Sequence, residues 1–355
     1  MSKISEYSII GVMSGTSLDG LDIVKCTFKK HENWNYKINK GITIKYSEKW
    51  INILKKLHTK PISEVKRTSI LFGKLIGDEV RKFADKNKFK YDFVCSHGHT
   101  IFHQPENNFT LQIGDGQAIA NKTNKLTISN FRELDVQLNG QGAPLVPIGD
   151  LHLFTEYKYC LNLGGFANIS IKQKNQIKAF DICPANIILN HISRKLNLEY
   201  DNNGDIGRQG HCNKELLEKL NNITFYKQKE PKSLSREWLE KNILSLKEIQ
   251  LLSAKDLLAT FYEHIGFQIG RLLIDNSVLI SGGGAHNSFL CEKIKENSTS
   301  QIIIAENHII DFKEALIFGF LGVLRIREEN NCLKEVTGAL KDSCGGEINQ
   351  PFLTN

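Results

Sequence analysis

The feature that most constrains this sequence is a pair of strand-like segments joined by a glycine turn, because the same arrangement occurs twice. The first copy spans residues 7–28 around Gly15, and the second spans 158–171 around Gly164, about 150 residues later. A third strand pattern follows the second copy at 177–182. The repetition predicts a chain of two similar halves, and 355 residues suffice for each half to bury its own core.

Strand and helix patterns alternate along the rest of the chain. Apolar spacing predicts further strands at 42–46, 91–96, 109–113 and 278–280. It predicts helices at 48–58, 63–87, 185–196 (with Pro184 in its first turn), 246–274, 311–329 and in the segment that ends near 296. Alternation of this kind is typical of the α/β class.

Three glycine-rich turns, at 14–20, 164–165 and 282–284, each follow a predicted strand. Glycine lets a ligand approach the backbone, and backbone N–H groups in such turns bind phosphate oxygens. None of the turns matches the P-loop or the dinucleotide-binding fingerprint. Together the turns favour a nucleotide site, although a simple structural turn is the better interpretation of any one of them taken alone.

The bulk properties narrow the class of function. The formal net charge of +7 comes from scattered lysines and arginines, which argues against nucleic acid as a partner. The eight cysteines include no C-x-x-C pair, so neither a zinc site nor a redox motif is indicated. The N-terminal segment lacks a signal-peptide core, and the longest apolar run, 315–324, is too short to cross a bilayer. We therefore expect a cytoplasmic protein with reduced thiols and no membrane contact.

The turns and charged residues fall into segments that form an ordered series along almost the whole chain. In chain order these segments are GVMSGTSLDGLD (11–22), SHGHT (96–100), LQIGD (111–115), NFRELD (130–135), GQGAPLVP (140–147), LNLGGFANI (161–169), GGGAHN (282–287) and VTGA (336–339). The series resembles the motifs of the anhydro-N-acetylmuramic acid kinase family, which usually has HGQT where this chain has HGHT.

The resemblance implies a fold and a reaction. The fold is α/β, with two domains of the actin, hexokinase and Hsp70 ATPase kind and with ATP and Mg²⁺ in an interdomain cleft. We place the first domain at 1–130 plus 335–355 and the second at 131–334. The reaction uses ATP and water to open the ring of 1,6-anhydro-N-acetylmuramic acid, a fragment of recycled peptidoglycan, and it yields ADP and N-acetylmuramic acid 6-phosphate.

By the same resemblance, the glycine turns contact ATP. The residues implied are Gly15, Thr16, Ser17, Leu18, Asp19, Gly20, Leu21, Asp22, Gly164, Gly165, Gly282, Gly283 and Gly284. The carboxylates of Asp19 and Asp22 would repel bare phosphate, so we expect them near Mg²⁺ or its water ligands. The alternative for Asp22 is that it caps a strand or pairs with a lysine.

Ring opening at an anomeric carbon requires a base to activate water. In the family the base is the aspartate of a D-T-G-P-G-N motif, and this chain has DICPAN at 181–186. The match makes Asp181 the predicted base, with helix capping as the alternative. The replacements Ile182, Cys183 and Ala185 remove a hydroxyl and add Cβ atoms, which leaves the sugar specificity open. Cys183 is expected to be a packed thiol rather than a nucleophile.

The predicted substrate-binding residues are Ser14, His97, Thr100, Arg132, Asn186 and Glu314. Arg132 suits the lactyl carboxylate of muramic acid, because a guanidinium binds carboxylates in a bidentate manner. Glu314, at a predicted helix start, either holds a sugar group or complements the helix dipole. His97 either orients the substrate or is a hydrogen-bonded turn residue.

Two other functions remain open from the sequence. The altered segment 182–185 is compatible with a related ATP-dependent kinase for another amino sugar, which would phosphorylate a free hydroxyl without using water. A non-catalytic ATP-binding regulator is the second alternative, although the presence of Asp181 argues against it. In each case the partners are small molecules, and a homodimer is left open.

Overall fold

The computed structural model describes residues 5–174 and 176–352. Its strands are β1 (Glu6–Ser14), β2 (Leu21–Lys30), β3 (Trp34–Ile44), β4 (Phe93–Gln104), β5 (Phe109–Ile113), β6 (Thr127–Ser129), β7 (Tyr159–Leu163), β8 (Phe166–Gln173), β9 (Gln176–Pro184), β10 (Ser277–Ser281), β11 (Gln301–Ile304) and β12 (Glu347–Asn349). Its α-helices are α1 (Glu48–Lys56), α2 (Ile62–Asn87), α3 (Gly116–Thr123), α4 (Glu133–Gln137), α5 (Pro147–Leu153), α6 (Asn186–Ser193), α7 (Lys214–Asn221), α8 (Arg236–Leu239), α9 (Glu248–Leu251), α10 (Ala254–Gly270), α11 (Ser288–Glu296), α12 (Asn307–Ile326) and α13 (Lys334–Thr337). Within the described ranges, no helix has the length and apolar character that a bilayer crossing needs.

The chain forms two compact units, Met1–Leu153 with Phe312–Asn355 and Phe154–Asp311. The sheet of the first unit has the strand order β12-β6-β4-β1-β2-β3, and β5 pairs with β4. Strands β1, β2 and β3 are antiparallel neighbours, whereas β4 is parallel to β1 and β6 is parallel to β4. Phe72 and Ile76 of α2 share a buried cluster with Ile10 and Ile23 of the sheet.

The sheet of the second unit repeats this arrangement. Its strand order is β11-β10-β7-β8-β9. Strands β7, β8 and β9 are antiparallel neighbours, β10 is parallel to β7 and β11 is parallel to β10. The order β6-β4-β1-β2-β3 of the first unit therefore has a counterpart strand by strand, with the same directions. This confirms the predicted chain of two similar halves and the α/β class.

Helix α12 packs tightly on the first sheet because a glycine faces it. A Cβ on Gly11 would lie 2.2 Å from the carbonyl oxygen of Ala315, so no larger residue fits there. Phe320 of the helix packs against Phe28 of β2 with the ring centres 5.5 Å apart. Gly11 belongs to the first motif of the series, and this close helix contact, rather than a ligand, explains its lack of a side chain.

The unit boundaries differ from the predicted domain boundaries at 130/131 and 334/335. Residues 131–153 and 312–334 lie with the first sheet, not with the second half. One reason is the packing of α12 on β1 and β2 through Ala315 and Phe320. A buried ion pair between Lys313 of α12 and Asp150 of α5, with Nζ and Oδ1 2.7 Å apart and side chains only 6% and 3% exposed, links the two segments to each other. Contacts of this kind join segments far apart in the chain, so local sequence patterns do not indicate them.

Local structure departs from the predictions in four places. The predicted helix 246–274 is two helices, because Ser253 caps a new start at α10. Pro184 ends β9 and does not begin α6. The motif at 96–100 lies inside β4 instead of after a strand. Glu314 lies well inside α12, which begins at Asn307, so the helix-dipole role considered for it does not apply.

The buried ion pair gives a stability prediction. We expect Asp150→Leu to lower the free energy of unfolding by about 3–5 kcal/mol, because Lys313 stays buried without that carboxylate. Equilibrium urea denaturation measures the change. The double variant Asp150→Leu with Lys313→Met should recover most of the loss, since an apolar pair replaces an ionic one. A single variant as stable as the wild type would contradict the expectation.

Candidate active site

The turn between β1 and β2 presents oxygen atoms to solvent. Thr16, Ser17 and Asp19 are exposed, and none of these side chains has a hydrogen-bond partner among residues 5–174 and 176–352. The turn is closed by the backbone N–H of Leu18, which donates to the Gly15 carbonyl at 3.3 Å. Two hydroxyls and a carboxylate in one short turn are hard oxygen groups of the kind that Mg²⁺ and its water ligands prefer.

Two of the predicted ATP-binding residues are engaged by the fold. The side chain of Leu21 is 1% exposed in the core, so only its backbone is free to face a ligand. Asp22 lies in β2 opposite Thr43 of β3, and the Thr43 hydroxyl donates to Asp22 Oδ1 at 2.6 Å. Asp19 is therefore the stronger candidate of the two acidic residues for contact with a hydrated cation.

The glycine turns differ in the space around each glycine. A Cβ on Gly283 would meet nothing within 4 Å, and one on Gly165 would reach only Cβ of Ile187 at 3.7 Å. A Cβ on Gly284 would instead lie 2.7 Å from Cβ of Leu163. Packing therefore requires glycine at position 284. At Gly283 and Gly165 no packing constraint requires a glycine, and the backbone there is open to a ligand.

The remaining turn glycines divide in the same way. A Cβ on Gly20 would lie 2.6 Å from a backbone carbonyl of β3. Gly282 has a φ of +81°, which L side chains rarely adopt, and a Cβ there would lie 2.4 Å from an amide oxygen of β7. At Gly15 and Gly164 the nearest atoms, at 3.2 and 3.3 Å, are the ends of polar side chains. Packing therefore requires glycine at Gly20 and Gly282, but not at Gly15 or Gly164.

The open glycines give a binding prediction. We expect Gly283→Val and Gly15→Val each to weaken ATP binding by roughly tenfold or more, about 1.4 kcal/mol, with little change in unfolding temperature. Calorimetric titration with ATP and thermal denaturation provide the two measurements. Gly284→Ala is the matched control, because it should destabilise the fold by crowding Leu163. Unchanged ATP affinity in both valine variants would count against these turns as the nucleotide site.

At the end of β1, Ser14 is buried between two other polar side chains. The Tyr46 hydroxyl donates to Ser14 Oγ at 2.6 Å, and Ser14 Oγ lies 2.8 Å from His99 Nδ1. The hydroxyl of Ser14 can either donate to Nδ1 of a neutral His99 or accept from it, depending on the tautomer of the ring. Burial lowers the pKa of His99 to about 4 and raises the pKa of Tyr46 to about 12. Ser14, a predicted substrate ligand, thus makes its contacts within the first unit.

Arg132 is held by acceptors on two sides. Its Nε donates to His97 Nε2 at 3.0 Å, and its Nη1 donates to the Gly142 carbonyl at 2.6 Å. His97 Nδ1 donates to the Gly98 carbonyl at 3.0 Å, so the ring is neutral. Burial, reinforced by the Arg132 charge, lowers the pKa of His97 well below its usual range. Both ring nitrogens of His97 are therefore occupied, one of them by Arg132, and neither is left for a ligand.

Arg132 retains donors for a ligand. No partner for its Nη2 occurs in the described part of the chain, and burial lowers its pKa only to about 10, so it is charged at neutral pH. Glu314 on α12 is exposed and likewise without a hydrogen bond there. Desolvation by surrounding protein raises the pKa of Glu314, and Arg132 and Lys313 oppose the rise. A guanidinium with an unused donor and a carboxyl group without a hydrogen bond are therefore available in the first unit.

Thr100 of β4 and Gln112 of β5 form a cross-strand pair. Gln112 Nε2 donates to Thr110 Oγ1 at 2.8 Å, but Gln112 Oε1 is buried and has no hydrogen-bond partner among the described residues. A buried acceptor without a donor costs about 1–3 kcal/mol, so a donor from a ligand would be favourable beside Thr100.

In the second unit, Asp181 lies at a β-bulge near the end of β9. Asn168 of β8 pairs with Asp181, and Ala167 pairs with Cys183, which leaves Ile182 as the extra residue. A bulge bends its strand and re-aims the neighbouring side chains. The bulge therefore begins directly after Asp181, which is in the last regular pair before the irregularity.

The segment 232–234 fixes the Asp181 carboxylate. The Leu234 N–H donates to Asp181 Oδ2 at 2.8 Å, and the Asp181 N–H donates to the Lys232 carbonyl at 3.0 Å. Burial raises the pKa of Asp181, and the Leu234 N–H opposes the rise. One carboxylate oxygen is held while Oδ1 has no partner in the described ranges. The helix-capping alternative is not supported, because the N-cap residue of α6 is Ala185.

Asn186, the first residue of α6, braces the second glycine turn. Its Nδ2 donates to the Leu163 carbonyl at 3.0 Å, and its backbone N–H donates to the Gly164 carbonyl at 3.2 Å. The Ala185 N–H donates to the Gly165 carbonyl at 2.8 Å. The start of α6 and the glycine turn are therefore held together by hydrogen bonds. The amide oxygen of Asn186 is the part of its side chain left for a ligand.

Comparison with known proteins decides the family. The family model described as anhydro-N-acetylmuramic acid kinase matches residues 7–351. The chain belongs to the anhydro-N-acetylmuramic acid kinase family. A member from Clostridioides difficile (strain 630) is 34% identical over 381 residues, with 98% of this chain and 99% of that protein covered. One from Sulfurovum sp. (strain NBC37-1) is 32% identical over 365 residues, with 96% and 98% covered.

Solved structures give a weaker likeness. A ROK family glucokinase from Streptomyces griseus in complex with glucose and AMPPNP has a TM-score of 0.42 at 10% identity, covering 88% of this chain and 98% of that chain. The fold of this member of the anhydro-N-acetylmuramic acid kinase family is a duplicated α/β arrangement, with the same strand order in both sheets.

Within the anhydro-N-acetylmuramic acid kinase family, the altered segment of this chain points inward. Ile182 is 3% exposed, and Cys183 and Ala185 are fully buried. Burial also raises the pKa of the Cys183 thiol, which confirms the expected packed thiol and leaves no thiolate for catalysis. The three replacements fill the interior of the second unit, so their added side chains do not occupy space open to a sugar.

Two residues with candidate roles were missed by reasoning from the sequence. Leu234 acts through its backbone N–H, which no side-chain pattern reveals. Gln112 stands inside the LQIGD motif, yet only the unpartnered state of its buried amide oxygen marks it as a candidate ligand-binding group.

Proposed function

We propose that this chain is an ATP-dependent kinase that opens 1,6-anhydro-N-acetylmuramic acid with water and phosphorylates O6. The products are ADP and N-acetylmuramic acid 6-phosphate, in the recycling of peptidoglycan. The observation that carries the proposal, together with family membership, is the Asp181 carboxylate, which has one oxygen bound by Leu234 and the other unpartnered. The need for ATP supports a cytoplasmic location.

Asp181 is proposed to act as the general base. Its free oxygen accepts a proton from water while the water oxygen forms a bond to the anomeric carbon. The bond between that carbon and O6 breaks, and O6 takes the γ-phosphoryl group of ATP, so the leaving oxygen is not released as an alkoxide. Because burial raises the pKa of Asp181, it is a stronger proton acceptor than an exposed aspartate.

Arg132 is proposed to bind the lactyl carboxylate of the sugar. His97 and Gly142 hold two of its nitrogens, which leaves the Nη2 end for a carboxylate. Glu314 accepts a hydrogen bond from a sugar hydroxyl or the acetamido N–H. Thr100 and the amide oxygen of Asn186 are further candidates for sugar hydroxyls.

The glycine turns are proposed to bind ATP. The open backbone at Gly15, Gly165 and Gly283 supports this role, because no packing constraint explains those glycines. The exposed oxygens of Thr16, Ser17 and Asp19 fit a Mg²⁺ ion that keeps most of its water ligands. When bound, Mg²⁺ supplies charge neutralisation for the ATP phosphates.

The test is incubation of the protein with ATP, Mg²⁺ and the anhydro sugar in water labelled with heavy oxygen, followed by mass spectrometry of quenched samples. We expect ADP and a phosphorylated sugar that carries one solvent oxygen at the anomeric carbon. A phosphorylated sugar without solvent oxygen would instead identify a related amino-sugar kinase. ATP binding without any ADP formed from a panel of amino sugars would favour the regulator.

A further inference from the structure

Asp135, in the NFRELD motif, is a fully buried carboxylate, 1% exposed, that accepts hydrogen bonds at both oxygens. The Gly142 N–H donates to Oδ2 at 2.8 Å. The Thr337 hydroxyl and the Cys332 thiol donate to Oδ1 at 2.8 and 3.0 Å. Burial of a carboxylate is costly without such donors, so Asp135 joins three chain segments through bonds that the fold needs to keep.

Gly142 connects Asp135 to Arg132. Its N–H is bound by Asp135, and its carbonyl accepts from Arg132 Nη1 at 2.6 Å. Gly142 has a φ of +65°, a conformation that glycine adopts without strain, and this conformation sets the directions of its N–H and its carbonyl. Gly140 leaves room for the same contact, because a Cβ there would lie 2.2 Å from Asp135 Oδ2.

The segment 337–340 adds a second connection to the loop that carries Gly142. The Gln141 N–H donates to the Thr337 carbonyl at 2.8 Å, and the Leu340 N–H donates to the Leu138 carbonyl at 2.9 Å. The VTGA and GQGAPLVP motifs therefore meet at Asp135. Neither motif has a role in the phosphate or base chemistry described above.

We propose that Asp135 is a positioning residue for Arg132, acting through Gly142, and that Thr337 supports it. The inference rests on the proposed role of Arg132 in binding the lactyl carboxylate. Asp135 holds the Gly142 carbonyl in place, and that carbonyl with His97 sets the plane of the guanidinium. A sugar carboxylate is then recognised only while the loop at 138–142 stays bound to the segment at 337–340.

The test uses Asp135→Asn in the full-length protein with two ligands, the anhydro sugar and the same sugar without its lactyl group. We expect the dissociation constant for the lactyl sugar to rise by about tenfold or more. Effects of this size are typical when a residue that orients a binding group through a hydrogen bond is lost, as at metal sites. The constant for the lactyl-free sugar should change much less, and in turnover KM should rise far more than kcat falls. Equal losses for both sugars would overturn the proposal.

Exchange of the Arg132 Nε proton with solvent, followed by NMR, provides a readout that needs no ligand. The resonance is assigned by its loss in Arg132→Lys. We expect faster exchange in Asp135→Asn, because Arg132 loses its fixed geometry against His97; unchanged exchange would overturn the proposal even if the protein proved to bind no lactyl sugar. Thr337→Val serves if Asp135→Asn does not fold, and it should shift the same readouts in the same direction by a smaller amount.

Discussion

Asp181→Asn is expected to lower turnover by about 10²–10⁴-fold while ATP and sugar still bind. The amide keeps the size of the side chain and can still accept from the Leu234 N–H, but it cannot take a proton from water. Quenched-flow measurement of ADP and ring-opened sugar tests this, and both should fall together because water attack and phosphoryl transfer act on one ether bond. Ring opening at the wild-type rate would mean that the base lies elsewhere.

The pH dependence of turnover gives a second readout for the same residue. A base works only when ionised, so activity should fall as the pH drops through the pKa of Asp181. Because burial raises that pKa, the acid limb should lie at higher pH than for an exposed aspartate, and Asp181→Asn should lose this limb. Cys183→Ala is the matched control, since the neighbouring buried thiol takes no part and its loss should leave the limb in place.

Arg132→Ala is expected to cost about 2–4 kcal/mol in binding of the lactyl sugar, roughly 30- to 900-fold in the dissociation constant. The variant removes the charge that faces the sugar carboxylate and leaves the acceptors on His97 and Gly142 without their donor. Calorimetric titration measures the loss. The anhydro sugar without its lactyl group should be affected far less, and equal losses for both sugars would show that Arg132 has another role.

Arg132→Lys is the matched control, because it separates the effect of the positive charge from the effect of the guanidinium geometry. Lysine keeps the positive charge but cannot donate to His97 and Gly142 while it also presents two donors to a carboxylate. We expect it to recover only a small part of the lost affinity. Full recovery would mean that net charge, and not the fixed guanidinium, recognises the sugar.

The sequence was sufficient for the repeated halves and for most elements near the candidate site. Strands β1, β2, β7 and β9 and helix α2 occur close to their predicted positions, because alternating or helical apolar spacing is a local property. The ordered motifs likewise indicated the family, which the family model confirms. The assigned roles of individual residues, among them Asp181 and Arg132, stay predictions.

Local sequence patterns gave wrong predictions where a distant contact or a helix cap determined the structure. The helix predicted at 246–274 breaks at the Ser253 cap, although apolar residues continue on both sides. The short β11 and β12 at the sheet edges were not predicted, because strands of three or four residues carry little pattern of their own. The predicted domain boundaries did not include the packing of Phe320 of α12 on Phe28 of β2, which joins residues far apart in the chain.

By itself, the sequence determined which segments become strands, helices and glycine turns, and which residues carry reactive groups. Only the tertiary structure determined which atoms those groups contact. Ser14 is bound to His99, 85 residues away, and Asp181 to Leu234, 53 residues away, because β-sheet register, bulges and loop packing bring these atoms together. The physical reason is that side-chain identity and apolar spacing are encoded locally, whereas hydrogen-bond partners and desolvation depend on surfaces that exist only after the sheets have formed.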